Sequence, residues 1–162
     1  MTAEKVAEKM IEYYKGDPKR INHFQKVYAF AHLIGVSEKL KGDELFLLDI
    51  AALTHDIGIK ESEKKYSSSA GKYQELEGPP VAEKLLENLG FEKVFIEKVC
   101  YLIGHHHTYT NIDSKPYQIL VEADFIVNIY EDNMDRKSVE TVKNKIFKTR
   151  TGTKILSEMF LS

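Results

Sequence analysis

Only one cysteine, Cys100, occurs in the 162 residues. An internal disulfide is therefore excluded, and a lone thiol fits a reducing compartment. No apolar run approaches the ~20 residues needed to span a bilayer. The N-terminal stretch MTAEKVAEKMIEYY is charged and amphipathic and lacks the apolar core of a signal peptide. These absences predict a soluble, cytoplasmic chain with no membrane partner. Positive charge is not in excess, the net charge being −2, so nucleic acid is not expected as a partner. Strand-like alternation and internal repeats are missing too. What is present is an ordinary globular balance, 43% hydrophobic and 30% charged residues. The length fits one domain, residues 1–162, large enough to bury a core.

The periodicity is helical almost throughout. Thr2 is read as the cap of a first helix reaching about Lys15 and ended by Gly16. Asp17-Pro18 reads as an N-cap followed by proline at the first helical position, opening a second helix that stops at Gly35. A third starts near Asp43 and ends beyond His55-Asp56, with Gly58 as its terminator. Residues 60–78 read as a loop with at most one short helix. Pro79-Pro80 opens a fourth helix that closes at Gly90. A fifth runs from about Glu92 to Ile103 with Phe95, Val99 and Leu102 inward. A sixth starts at Asp113 or Ser114 and reaches about Asn133. One or two weaker helices follow Arg136. The expected fold is an all-α multi-helix bundle.

From Leu45 to Ile59 the chain reads LFLLDIAALTHDIGI. A helix apolar on every side belongs inside a domain. His55 and Asp56 at its end need partners, because an unpaired buried carboxylate is very costly. His23 shares a helix face with Val27, Phe30, Ala31 and Ile34, and Asp124 interrupts the apolar run ILVEADFIVNIY. Alone, His23 reads more readily as a hydrogen-bonded core histidine. Together, two imidazoles and two carboxylates on inward faces suit one divalent transition metal, Fe, Mn, Co, Ni or Zn, better than Mg²⁺. Such an ion makes bound water ionise far more easily than bulk water.

His23, then His55-Asp56, then Asp124 resemble the H…HD…D signature of the HD-domain superfamily of metal-dependent phosphohydrolases. RINHFQKVYAFAHLIG, ALTHDIG, ILVEADFI and the segment EGPPVAEKLLENLGFEKVFIEKVCYLIGHHH are similar to the family's corresponding regions. The resemblance covers roughly residues 17–132. It implies an all-α metal-binding fold, with one metal and sometimes two, and hydrolysis of a phosphate ester by metal-bound hydroxide. It makes His23, His55, Asp56 and Asp124 the ligands. Many relatives carry lysine directly after HDIG; here Ile59 stands there and Lys60 follows. Where the binuclear branch often has a further histidine, this chain offers Glu75 and Glu77, which argues against a second ion.

His105-His106-His107 follow the fifth helix, where histidines also serve as solvated helix ends. The resemblance places histidines here beside the metal. His105 or His106 would then protonate a leaving alkoxide with Asp56 at the catalytic centre, or hold a second cation with Glu75 or Glu77. Lys60, Lys64, Lys65 and Lys72 offer an anion clamp, Lys60 foremost, and Tyr66 and Tyr73 offer rings for a base or sugar. The leading expectation is a phosphohydrolase of a small phosphorylated molecule, plausibly a nucleotide. A di-iron oxygenase of the same superfamily and a non-catalytic, metal-stabilised sensor are the alternatives. A homo-oligomer remains open, as does the role of residues 136–162.

Overall fold

A computed structural model describes all 162 residues. The chain forms nine helices: α1 Ala3–Tyr13, α2 Pro18–Ser37, α3 Gly42–Thr54, α4 Ile59–Tyr66, α5 Gly71–Asn88, α6 Lys93–Ile103, α7 Lys115–Glu131, α8 Arg136–Lys145 and α9 Arg150–Phe160. The expected all-α class is the one observed. No helix is long and apolar enough to cross a membrane. Several starts follow from capping, since side-chain oxygens of Thr2, Asp17 and Ser114 accept from Lys5 N, Arg20 N and Tyr117 N.

The apolar helix α3 lies between two cores. Leu48, Ala51 and Ala52 face Val27, Ala31, Leu120 and Ala123 of α2 and α7. Ile50 and Leu53 face Val6 and Met10 of α1, Leu86 of α5 and Val99 of α6. A helix enclosed on both sides has no use for a polar stripe, which explains its composition.

Several boundaries differ from the sequence reading. Gly35 does not stop α2, which continues to Ser37. It sits where α2 crosses α3, and a Cβ there would stand 2.9 Å from Leu45 Cδ1 and 3.0 Å from Leu48 Cδ2. Residues 60–78 are not a loop: they form most of α4, a break at 67–70 and the first turns of α5. Pro79 and Pro80 lie inside α5 rather than at its start. Gly58 does not end α3, which stops at Thr54 before His55-Asp56. It sits directly before α4 and lets α5 pass against the turn, for a Cβ on it would lie 2.6 Å from Gly78 N and 2.7 Å from Gln74 O. Phe95 is only half-buried, while Ile96 joins Val99 and Leu102 inside.

The C-terminal helices pack back on the chain. Glu122, fully buried on α7, accepts from Lys148 N (3.0 Å), Thr149 N (3.0 Å), Thr149 Oγ1 (2.6 Å) and Gln118 Nε2 (2.7 Å). Glu38 holds the start of α9 through Thr151 N and Oγ1, at 3.2 and 2.6 Å.

Candidate metal centre

Four elements converge. α2 carries His23, the turn after α3 carries His55 and Asp56, the turn after α6 carries His106, and α7 carries Asp124. His23 Nε2 lies 3.2 Å from His55 Nε2, 3.1 Å from Asp124 Oδ1 and 3.1 Å from Asp56 Oδ2. His55 Nε2 is 3.3 Å from both Asp56 Oδ1 and Asp124 Oδ1. His55 and His106 are fully buried, and His23 and Asp124 nearly so. Tyr14, at the end of α1, donates to Asp56 O at 2.7 Å and so fixes the turn that presents the dipeptide.

The outer nitrogens are all engaged. His55 Nδ1 lies 2.7 Å from Ala52 O and His106 Nδ1 lies 2.7 Å from Ile103 O, each donating to a carbonyl one turn back. His23 Nδ1 donates to Glu131 Oε1 at 2.5 Å. With Nδ1–H committed, Nε2 is the nitrogen each ring turns inward, the one that would ligate once an ion displaces its proton. His106 Nε2 is 3.5 Å from Asp56 Oδ1 but is aligned with no hydrogen-bond partner at all.

The charges ask for a cation. Burial alone would push the His23 imidazolium down, but hydrogen bonds and charges of Asp124 and Asp56 outweigh it and raise its pKa to about 11. Burial likewise opposes charge on His55, and the two aspartates still raise it. Asp56 and Asp124 feel burial upward, yet the imidazoles hold both below the ordinary carboxylate range. Protons on the imidazoles here do the work a divalent ion would do better. Two imidazoles, two carboxylates and an orphaned inward nitrogen fit a divalent transition metal, and the group can hold one.

Above the cluster lies a cavity of about 570 Å³, lined by Asp17, Lys19, Arg20, His23, Asp56, Ile59, Ser69, Gln74, His107, Asp124, Asn128, Glu131 and Asp132. Two helix stripes build most of it. On α2 and its cap, Asp17, Lys19, Arg20 and His23 follow within two turns. On α7, Asp124, Asn128, Glu131 and Asp132 recur at i, i+4, i+7 and i+8.

Other expected residues go elsewhere. His105 stacks on Tyr101 at 4.2 Å and its Nδ1 bonds Tyr101 O at 2.7 Å, so it stands apart from the cluster. His107 takes the cavity place instead, its Nε2 donating to Gln74 Oε1 at 2.9 Å. Burial, then the charge of His106, pushes the His107 pKa down to about 4, leaving it neutral. Glu75 accepts from His107 N and Thr108 Oγ1, at 3.2 and 2.8 Å, and thereby caps the histidine turn. Glu77 is tied to Lys65 (2.5 Å) and Tyr66 (3.1 Å). Lys60 donates to Tyr13 O at 3.2 Å and stands over the Tyr13 ring. None of Lys60, Lys64, Lys65 and Lys72 lines the cavity; Lys19 and Arg20 supply its cations. Their spacing of four and three residues before His23 was the signal available in the sequence.

A family model for the HD domain matches residues 20–146. The crystal structure of a predicted HD superfamily hydrolase from an uncultured Thermotogales bacterium resembles this fold with a TM-score of 0.68 and 27% sequence identity. That likeness covers 96% of this chain and 83% of the other. No curated protein matches the chain.

Proposed function

The chain belongs to the HD-domain family, and from that premise we propose that it is a metal-dependent phosphohydrolase of a small phosphate ester. His23, His55, Asp56 and Asp124 are the ligands in this reading, holding one divalent ion of Mn, Fe, Co, Ni or Zn. The observation that carries it is their convergence at the floor of a cavity whose wall bears Lys19 and Arg20. An ion bound there acidifies water and offsets charge gathering on phosphorus.

The bond changes are those of hydrolysis. Water oxygen bonds to phosphorus, the ester P–O bond breaks, and the alkoxide leaves as an alcohol after gaining a proton. Lys19 faces the phosphoryl oxygens, while Arg20 beside it is held by Asp17 and Glu63. Asp56 lines the cavity and orients the attacking water. Asp56 takes the proton that water sheds, with His106 Nε2 buried 3.5 Å from its Oδ1. The same proton then serves the alkoxide. Residues 1–162 act as one HD-type domain in this scheme.

A second reading has its own observation. Ligand atoms of Asp56, His106 and His107 also lie within 4.8 Å of one another. Asp56, His106 and His107 would then hold a second ion, and a pair of irons would supply the chemistry of an oxygenase. Chelation followed by reloading with Fe²⁺, Mn²⁺, Co²⁺, Ni²⁺ or Mg²⁺ tests both. One ion per chain with turnover of p-nitrophenyl phosphate supports the first reading. Two irons per chain with oxygen uptake favours the second, and confirmed metal without turnover points to a sensor.

A further inference from the structure

The cavity wall carries almost no hydrophobic side chain. Of its thirteen lining residues one, Ile59, is hydrophobic. The rings that line it are the imidazoles of His23 and His107, and both are committed, to Glu131 at 2.5 Å and to Gln74 at 2.9 Å. Tyr66 and Tyr73, the residues with rings suited to a base, stack on each other at 4.1 Å and lie outside the cavity. Nucleotide sites grip the base with aromatic or aliphatic faces, and stacking on such a face is worth roughly 5- to 150-fold in binding. Here Ile59 alone among the lining residues offers an aliphatic side chain, and none offers a phenyl, phenol or indole ring.

What the wall offers is hydrogen bonding. Ser69, Gln74, Asn128 and Asp132 present hydroxyl, amide and carboxylate groups around the floor. Asn128 stands one turn beyond Asp124 on α7, so its amide meets whatever is joined to a phosphoryl group at the metal floor. The charge is also lopsided. Arg20 is already paired with Asp17 (3.1 Å) and Glu63 (2.8 Å), which leaves Lys19 as the unpaired cation of the wall. One free cation beside Asp17, Glu131 and Asp132 suits a single phosphate and repels a second one.

We infer that the alcohol half of the substrate is a small hydroxyl-rich chain or ring, a polyol or sugar carrying one phosphate, and not a nucleoside. Its hydroxyls donate to Asp132 and to the Asn128 and Gln74 carbonyl oxygens, where a base would find no partner surface. This rests on the phosphohydrolase reading, which it narrows.

Ribose 5-phosphate and adenosine monophosphate form a matched pair, the same phosphorylated sugar without and with a base. With metal loaded, kcat/KM for ribose 5-phosphate should exceed that for adenosine monophosphate by about tenfold or more. In Asn128→Leu, which adds carbon surface and removes the amide, that ratio should fall about three- to tenfold. If this variant does not fold, Asn128→Ser carries the same expectation. A preference for adenosine monophosphate, or a ratio untouched by the variant, overturns the inference and leaves the phosphohydrolase reading standing. Failure to hydrolyse any ester, p-nitrophenyl phosphate included, overturns the phosphohydrolase reading. Thermal shifts then still decide the inference: a larger rise with ribose 5-phosphate than with adenosine monophosphate supports it, and an equal or smaller rise sinks it.

Discussion

Glu131 had no place in the sequence reading, yet it sets the orientation of His23, one of the four proposed ligands. Its Oε1 lies 2.5 Å from His23 Nδ1, and the side chain is 15% exposed. The hydrogen bond has two effects. It keeps a proton on Nδ1, so that Nε2 is the nitrogen freed when an ion displaces the other proton, and it makes that nitrogen a stronger donor to a cation. A hydrogen bond to a charged group is worth about 1.5–3 kcal/mol. Loss of an outer carboxylate of this kind weakens metal binding ~10–100-fold, or about 1.4–2.8 kcal/mol. Lys26 Nζ stands 3.9 Å from Oε2 and shares little of this, being half-exposed. Glu131→Ala should therefore weaken Co²⁺ or Zn²⁺ binding ~10–100-fold. Glu131→Gln keeps an acceptor but loses the charge, and should cost only ~3–10-fold. Competition against a chromophoric chelator reads the affinity, and circular dichroism checks that the fold is intact. An affinity in Glu131→Ala within twofold of the parent would refute the argument that Glu131 tunes His23.

Asp124→Ala should lose the metal and with it most turnover, as read by elemental analysis and p-nitrophenyl phosphate hydrolysis; full metal content would remove Asp124 from the ligand set. Chelation of the parent should lower its melting temperature, since an ion bound only to the folded state at 100 times its Kd stabilises by about 2.7 kcal/mol. Gly58→Ala should cost about 1–3 kcal/mol in denaturant unfolding, because its Cβ would meet backbone atoms of Gln74 and Gly78 that cannot swing aside. The Glu38 carboxyl is held below its ordinary 4.5 by the Thr151 hydroxyl and N–H. Its depressed folded value contributes stability above pH 4.5 that is lost as pH falls through that value. Hydrogen exchange at Thr151 should accordingly quicken on acidification, and Glu38→Gln should blunt that dependence.

The all-α class was plain because α3 is apolar on every face and because Thr2, Asp17 and Ser114 announce helix starts. Local rules misled where a distant contact decided. Pro79-Pro80 reads as a helix start, yet Pro79 lies inside α5, placed so that a Cβ on Gly104 would touch its ring at 3.4 Å. Gly35 reads as a stop, yet its missing side chain serves the α2–α3 crossing. The same limit applies to the site. Residues charged on otherwise apolar faces, His23 and Asp124, stood out against their neighbours. Lys19 and Arg20 sit among ordinary polar residues at a helix start, Asn128 interrupts the same apolar run as Asp124, and Glu131 closes that helix; only the fold shows that all four face the cavity. His105 and His107 are indistinguishable in HHH, since turn geometry after α6 assigns which ring goes where.

The placement of α3 between two cores divides the cavity by timescale. Its floor hangs from the end of the helix most enclosed by apolar contacts, where amide opening requires nearly global unfolding. Its rim is made of element ends: Asp17 caps α2, Ser69 lies in the break before α5, and Asp132 closes α7. Such ends open locally at little cost, in nanoseconds to microseconds. Small molecules can thus enter and leave over a fluctuating rim while the backbone that carries His23, His55, Asp56 and Asp124 keeps its place. Since His23, Asp56 and Asp124 line the cavity, an ion on that floor would exchange through the open mouth, and its release should run well ahead of global unfolding.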